Sequence, residues 1–291
     1  MNKNGLPLVG LLVGLLASSS AFGQGLRGAF GLDDRGTDTG WYLRTDVGIN
    51  SLGSGTPSQA DLAANGGSFI DHSLTRTASV DVGVGYRFSP KLRVDATFEL
   101  RSGSNIGAVD NVRLINGRGQ TAADIYSVYR GTLESQALLL NAYYDVGTWN
   151  GLTPFLGASV GVARNTVAGL STSNDATVNI YSNTAPYDLT SQLTEHSNSY
   201  SKKRSTYAFA WGLSAGASYA INEKLTVEAA YRYLNLGSTS ASDLINCTCG
   251  GTGQPFKLGG LDSHDLKVGL RMKLDSPAPV QRSPMPVVAK Y

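Results

Sequence analysis

Apolar and polar residues alternate along several ten-residue stretches of this chain. Within residues 92–101, Val94 and Phe98 occupy one set of alternate positions, and Arg93 and Glu99 occupy the other. Successive side chains of a β-strand point to opposite faces, so this period of two predicts strands whose two faces meet different surroundings. The pattern predicts eight strands, near residues 41–50, 79–88, 92–101, 134–146, 154–164, 206–219, 225–236 and 264–274.

The connections between these strands alternate between long and short. The long connections cover residues 51–78, 102–133, 165–205 and 237–263. Transmembrane β-barrels combine an even number of strands with short periplasmic turns and long extracellular loops. We therefore predict an all-β fold, an eight-stranded antiparallel transmembrane β-barrel over residues 41–274 with long extracellular loops. The alternative is a soluble barrel with the apolar face inside, and the regular alternation of connections argues against it.

The face opposite the apolar one carries many charged residues. In a membrane barrel the apolar face meets lipid, so these charges would fill a narrow lumen and pair with one another. Filling of this kind favours structural ion pairs over a conducting pore. The predicted lumen charge network comprises Arg44, Asp46, Asp81, Arg87, Arg93, Asp95, Glu99, Arg101, Glu228, Arg232, Lys267 and Arg271.

Aromatic residues of the apolar face fall into two groups. If the first strand rises from the periplasm, one group lies near the periplasmic rim and the other nearer the outer rim, as the aromatic belts of membrane barrels do. The periplasmic group comprises Trp41, Tyr86, Phe88, Tyr144 and Tyr219. The outer group comprises Phe98, Phe209, Trp211, Tyr231 and Tyr233.

The two ends of the chain have a different composition from the predicted barrel. Lys3, an apolar run from Leu6 to Ala17 and the small-x-small ending Ala21-Phe22-Gly23 predict a signal peptide over residues 1–23. Residues 24–40 form a polar leader, and residues 275–291 form a tail with four prolines. Both are expected in the periplasm, where the tail could contact peptidoglycan.

Composition excludes several classes of protein. The chain has 291 residues, of which 41% are hydrophobic and 16% charged, with a formal net charge of +2. That content is too apolar for a disordered chain, and the charge gives no case for nucleic-acid binding. Two cysteines cannot build a disulfide scaffold. The 35 glycines and 14 tyrosines agree with β-structure.

Three segments resemble a known family. They are Gly40–Arg44, the sequence LTVEAAYRYLNLG at 225–237 and the sequence SHDLKVGLRMKL at 263–274. They resemble the small opacity-type outer-membrane barrels of alphaproteobacteria, which share the eight-strand form of the outer membrane protein A transmembrane domain. The resemblance implies an outer-membrane location and a final strand read by the barrel-assembly machinery. This chain has Met272 and Leu274 where that strand usually carries aromatics.

Few residues suggest chemistry. Cys247 and Cys249 could form a strained internal disulfide, form an intermolecular bridge or capture a metal, and we predict a disulfide with no metal site and no cofactor. Some outer-membrane barrels that hydrolyse lipid A carry His and Ser two residues apart on a strand. Here His196 and Ser197 are adjacent in a predicted loop, so the pattern does not match. His72 and His264 have no catalytic partner fixed by the sequence.

These features lead to one functional hypothesis and two alternatives. The long connections are rich in Ser, Thr, Asn, Gly and Tyr, which suit hydrogen bonding to a protein or glycan. We predict a non-catalytic structural and surface-recognition role, adhesin-like, in a Gram-negative outer membrane. The alternatives are a small porin-like channel and a membrane-embedded lipid A hydrolase. Expected partners are outer-membrane lipids, the barrel-assembly machinery and an extracellular protein or glycan.

Overall fold

The computed structural model describes residues 39–53, 55–246 and 252–274. About three quarters of these residues lie in strands, and no helix among them is long and apolar enough to cross a membrane. The strands and the helix are β1 Gly40–Leu52, β2 Thr56–Ser58, α1 Ala60–Ala64, β3 Ser68–Leu74, β4 Thr77–Arg87, β5 Leu92–Arg101, β6 Ser104–Ile115, β7 Thr121–Asp145, β8 Leu152–Tyr181, β9 Leu189–Ser201, β10 Arg204–Ala220, β11 Leu225–Asn235, β12 Thr239–Ser240, β13 Leu244–Asn246, β14 Thr252–Gly253, β15 Lys257–Gly259 and β16 Asp262–Lys273.

Eight of the strands close into an antiparallel ring. The order is β1, β4, β5, β7, β8, β10, β11, β16 and back to β1. This confirms the predicted eight-stranded antiparallel barrel. The short turns and the two ends of the described chain lie at one end of the ring, which we call the turn end. The long connections leave from the other end, which we call the loop end.

The register of the ring fixes the tilt of its strands. Following cross-strand partners once round from Tyr207 of β10 leads back to β10 at Ala217, ten residues further along. With about 3.3 Å per residue and about 4.8 Å between strands, this stagger corresponds to a tilt of about 40°. At that tilt the ten residues between Phe209 and Tyr219 rise by about 25 Å, the height of a lipid-facing band.

Two strands of the ring are much longer than the sequence pattern predicted. β7 has 25 residues and β8 has 30, and they remain paired as far as Ala123 and Val178. With β3, β6 and β9 they form a sheet, the projecting sheet, that rises beyond the loop end. The predicted loops at 102–133 and 165–205 are therefore mostly strand. Polar residues interrupt both faces of these segments, and β9 exposes nearly every side chain from Leu189 to Ser197, so the segments carry no clear period-two signal.

The loop end of the ring is closed by a cap. β2, β12 and β15 form a small sheet, and α1 follows β2. Their side chains and those of neighbouring strands form an apolar core inside the wall, so the cap buries the top of the lumen. Its most buried members include Leu133, Leu170, Leu236, Phe256 and Leu261, none more than 1% exposed.

Candidate functional site

The lumen contains two clusters of charged side chains, of which the first lies nearer the loop end. Glu99 of β5 is at its centre, with one oxygen 2.5 Å from Arg101 Nε and the other 2.8 Å from Lys267 Nζ and also in contact with Arg232. Arg101 and Arg232 both donate to Asp265 of β16, at 2.8 and 2.7 Å. Lys267 also contacts Asp81 of β4. Four strands are thereby joined across the lumen, in an interior where ion pairs are strong.

The second cluster lies nearer the turn end and is centred on Glu228 of β11. Its carboxylate oxygens lie 3.0 Å from Arg93 Nη1, 2.8 Å from Arg271 Nη1 and 3.4 Å from Arg44 Nη2. Arg93 continues to Asp145, 3.2 Å from its Nε. These links connect β1, β5, β7, β11 and β16, so the network spans the whole width of the barrel.

All twelve charged residues predicted for the lumen lie inside the wall, and the sequence reasoning missed two more. Asp145 binds Arg87 and Arg93, and Asp265 binds Arg101 and Arg232. With these two carboxylates the network has seven acidic and seven basic members. Both lie at positions of the polar face in the period-two pattern, which was the signal that could have found them.

Aromatic side chains fill the remaining space of the lumen. The Arg93 guanidinium stacks against Tyr143, 4.3 Å from the ring centre, and against Phe155 at 4.7 Å. Tyr42 donates to Asp95 at 2.9 Å. The cavity left among the lumen charges measures about 20 Å³, room for about one water molecule. A wider recess of about 310 Å³ opens at the turn end.

The predicted interface aromatics lie on the outer surface of the ring. Trp41, Tyr86 and Phe88 pack edge to face near the turn end, with ring centres 5.2 and 4.9 Å apart. Trp211 and Tyr233 pack together at 5.5 Å on the half nearer the loop end. The other members on the same surface are Phe98, Tyr144, Phe209, Tyr219 and Tyr231.

Within the described ranges, no histidine forms a catalytic pair with a serine. His196 lies on β9, so its predicted position in a loop was wrong, and its Nδ1 is 2.6 Å from Asp175 Oδ1 with both side chains exposed. Ser197 follows it on the strand and points to the opposite face. His264 Nδ1 is 2.6 Å from the Tyr231 hydroxyl on the outer wall. His72 lies on β3.

Cys247 and Cys249 lie outside the described residues. The described residues contain no group of three or more His, Cys, Asp or Glu side chains that could hold a metal ion.

A polar contact lies within the cap. The Tyr129 hydroxyl is 2.6 Å from Asp110 Oδ2 and 2.7 Å from Gln59 Oε1, which joins β6, β7 and the segment before α1. Burial raises the pKa of the Asp110 carboxyl. On the exposed sheet nearby, hydrogen bonds from Asn111 and Arg113 lower the pKa of Asp124.

A comparison with known families identifies the chain. Residues 9–273 match the model of the family described as outer membrane protein beta-barrel domain. The chain belongs to this family. Membership places the protein in the outer membrane and confirms the resemblance read from the strand sequences.

Named relatives of this outer-membrane barrel include a putative adhesin and an outer membrane protein. A putative adhesin of Rickettsia canadensis is 24% identical over 251 residues, which cover 82% of this chain and 90% of the relative. The outer membrane protein PagN of Salmonella typhimurium is 25% identical over 218 residues, covering 70% and 77%. An uncharacterized protein of Brucella abortus is 28% identical over 256 residues, covering 80% and 84%.

Solved structures similar to this chain include three bacterial proteins. Neisserial surface protein A is 16% identical with a TM-score of 0.39, covering 80% of this chain and 97% of its own. OprG of Pseudomonas aeruginosa is 16% identical with a TM-score of 0.43, covering 84% and 100%. Ail of Yersinia pestis, solved with the heparin analogue sucrose octasulfate, is 9% identical with a TM-score of 0.36, covering 81% and 99%.

Proposed function

We propose that this protein is a sealed, non-catalytic outer-membrane barrel whose projecting sheet recognises a protein or glycan on another surface. The observation that carries the proposal is the continuation of β7 and β8 beyond the ring as paired strands. A sheet held by backbone hydrogen bonds presents its side chains in a fixed arrangement, and this lowers the entropic cost of binding. Relatives named as putative adhesins support the same role.

The charge of the exposed segments indicates the kind of ligand. The connections at 51–78, 102–133, 165–205 and 237–263 together hold nine acidic and eight basic residues. A surface so close to neutral does not attract polyanions over long range. Its Ser, Thr, Asn and Tyr side chains favour instead a polar, uncharged ligand bound through hydrogen bonds and aromatic contacts.

The lengths of the connections support one orientation of the barrel in the membrane. Barrels of this class keep short turns in the periplasm and long segments outside. The loop end, with the cap and the projecting sheet, then faces the exterior, and both chain ends face the periplasm. An epitope inserted at Gly117, in the β6–β7 turn, is expected to be labelled on intact cells. An epitope at Glu223, in the β10–β11 turn, should need permeabilised cells, and the reverse labelling would contradict this orientation.

The filled lumen argues against the channel alternative. Ion pairs cross it at two levels, and the cap covers it. We expect the purified barrel to give no discrete conductance steps in planar bilayers. The hydrolase alternative lacks a serine–histidine pair among the described residues, and unchanged lipid A mass spectra with and without the gene would remove it.

Recognition by the projecting sheet is tested by shortening it. Asn174 and Ser197 are cross-strand partners, so replacing residues 175–196 by an Asn-Gly turn removes the tip of the β8–β9 hairpin with register preserved. The insertion at Glu223 is the control for surface level and folding. Cells with the control are expected to bind host cells as the parent does, and cells with the shortened hairpin to lose that binding. Equal binding by the shortened variant would refute the proposal.

A further inference from the structure

One part of the outer wall combines an apolar surface with exposed basic groups. Leu138 of β7, Val162 of β8 and Phe209 of β10 are cross-strand neighbours on the outer face. These three residues form the top row of the lipid-facing band on this side of the barrel.

The next outward row toward the loop end changes in character. It consists of Gln136, Arg164 and Tyr207, which pair across the same three strands. Tyr207 is 70% exposed, more than any other large hydrophobic side chain that the structure describes. An aromatic ring at this height suits the boundary between lipid and water.

Arg164 has unused binding capacity on this surface. Its Nη2 donates to Ser205 Oγ at 3.2 Å, and no carboxylate of the described residues lies within ion-pair distance of it. A guanidinium has five N–H donors, and the hydrogen bond to Ser205 uses one of them. Lys203 reaches the same area, with Nζ 3.3 Å from Glu134 Oε2 on an exposed pair. The Thr166 and Ser205 hydroxyls are 2.9 Å apart, and Ser205 is also the residue that Arg164 binds.

We propose that Arg164, Tyr207 and Lys203 bind a phosphate on the sugar headgroup of an outer-leaflet glycolipid, with its acyl chains against Leu138, Val162 and Phe209. The guanidinium fork matches phosphate oxygens in a bidentate geometry, and Lys203 adds a second charge. The apolar row directly below continues the lipid-contacting wall, so an amphiphile meets both surfaces at once. The assignment to the outer leaflet rests on the proposed orientation of the loop end.

The test uses the full mature chain purified in detergent, with lipid retention measured by native mass spectrometry. The probes are hexa-acylated lipid A with two phosphates and the same lipid without phosphate. We expect the parent to retain the phosphorylated lipid preferentially. Since a charge-assisted hydrogen bond contributes about 1.5–3 kcal/mol, Arg164→Gln should weaken retention roughly tenfold or more. Lys203→Gln should weaken lipid retention less, because the positive charge of Lys203 is already paired with Glu134.

The matched control is Arg118→Gln. Arg118 is also exposed and also lies over a tyrosine, 4.2 Å from the ring centre of Tyr187, but it is on the β6–β7 turn far from the apolar band. It should leave lipid retention unchanged. If Arg164→Gln fails to fold by heat-modifiable mobility, Arg164→Lys keeps the charge without the fork and should give an intermediate loss. Equal retention of both lipids, or equal loss in the Arg118 control, would overturn the site. The experiment does not depend on orientation, which the epitope labelling tests separately.

Discussion

The inner wall of the barrel has two regions that exclude water by different means. Toward the turn end it is filled by ion pairs around Glu99 and Glu228. Toward the loop end it is filled by apolar side chains such as Leu236 and Phe256. The outer wall changes in the opposite sense. On β11 the outward side chains change from apolar Tyr233 to polar Asn235. At the same height the inward side chains change from charged Arg232 to apolar Leu234.

This exchange of polarity between the two faces marks the edge of the membrane. Below it the outside is lipid, so apolar side chains face outward and the interior must satisfy its polar groups internally. Above it the outside is water, so the hydrophobic effect drives apolar side chains inward as in a soluble protein. On β7 the change falls between Leu138 and Gln136 on the outside and between Asn141 and Leu139 on the inside.

The largest expected effect comes from removing the centre of the charged region. Glu99→Leu leaves Arg101, Arg232 and Lys267 without a shared carboxylate in a buried site. Breaking a buried ion network in this way should lower the unfolding free energy by about 4 kcal/mol. Urea titration of the barrel in lipid vesicles would measure this change. Asp175→Asn, which breaks an exposed pair with His196, is the control and should leave that energy nearly unchanged. A Glu99 variant as stable as the parent would show that the network does not hold the strands together.

The apolar region should respond to loss of volume instead. Phe256 is 1% exposed and stacks on Tyr129 with ring centres 5.3 Å apart. Phe256→Ala removes this packing and should reduce the stability of the cap by about 3 kcal/mol. Amide hydrogen exchange should show faster opening of β2, β12 and β15 and unchanged protection of β1 and β16. Uniform loss of protection across all strands would mean that the two regions unfold as one.

A pair of substitutions on the outer wall of β7 tests the position of the edge. Leu140 faces outward below the polarity exchange, and Glu134 faces outward above it. Leu140→Arg should cost about 2 kcal/mol of unfolding free energy, because the charge enters the lipid band. Glu134→Arg should cost less than about 1 kcal/mol, because it breaks only the exposed pair with Lys203. Equal costs at the two positions would place both in the same surroundings.

The smallest expected effect is a pH dependence confined to the cap. Asp110 is almost fully buried and its pKa is raised by burial, so the folded cap binds its proton more tightly than the unfolded chain. Cap stability is therefore highest in acid and falls as pH rises from the ordinary carboxyl pKa through the raised one. Protection factors measured between pH 4 and 7 should show this slope, and Asp110→Asn should abolish it. Asp124→Asn is the control, since the pKa of Asp124 shifts the other way.

The ring itself could be predicted from the sequence because lipid and lumen impose opposite demands on alternate residues. Segments such as 92–101 then show a strict period of two. The polarity exchange is also visible in the sequence of β11. The apolar residues stand at odd positions up to Tyr231 and Tyr233 and then at even positions, Leu234 and Leu236.

The projecting sheet could not be predicted in the same way. β9 exposes nearly every side chain from Leu189 to Ser197. Both of its faces meet water, so its sequence does not need to alternate between apolar and polar residues. Its strand geometry comes from pairing with β8, which sequence periodicity does not record. The partners within the lumen were equally hidden: Arg101 and Asp265 are 164 residues apart and meet only because the ring closes.

The most direct test of the polarity exchange is a spin-label scan along the outward positions of β7. Single nitroxides at Tyr144, Ala142, Leu140, Leu138, Gln136, Glu134 and Thr132 would be compared by collision with oxygen, which concentrates in lipid, and with a water-soluble nickel complex. The predicted result is oxygen-dominated relaxation from Tyr144 to Leu138 and nickel-dominated relaxation from Gln136 onward. Relaxation of one type at all seven positions would contradict a membrane edge at this point of the wall.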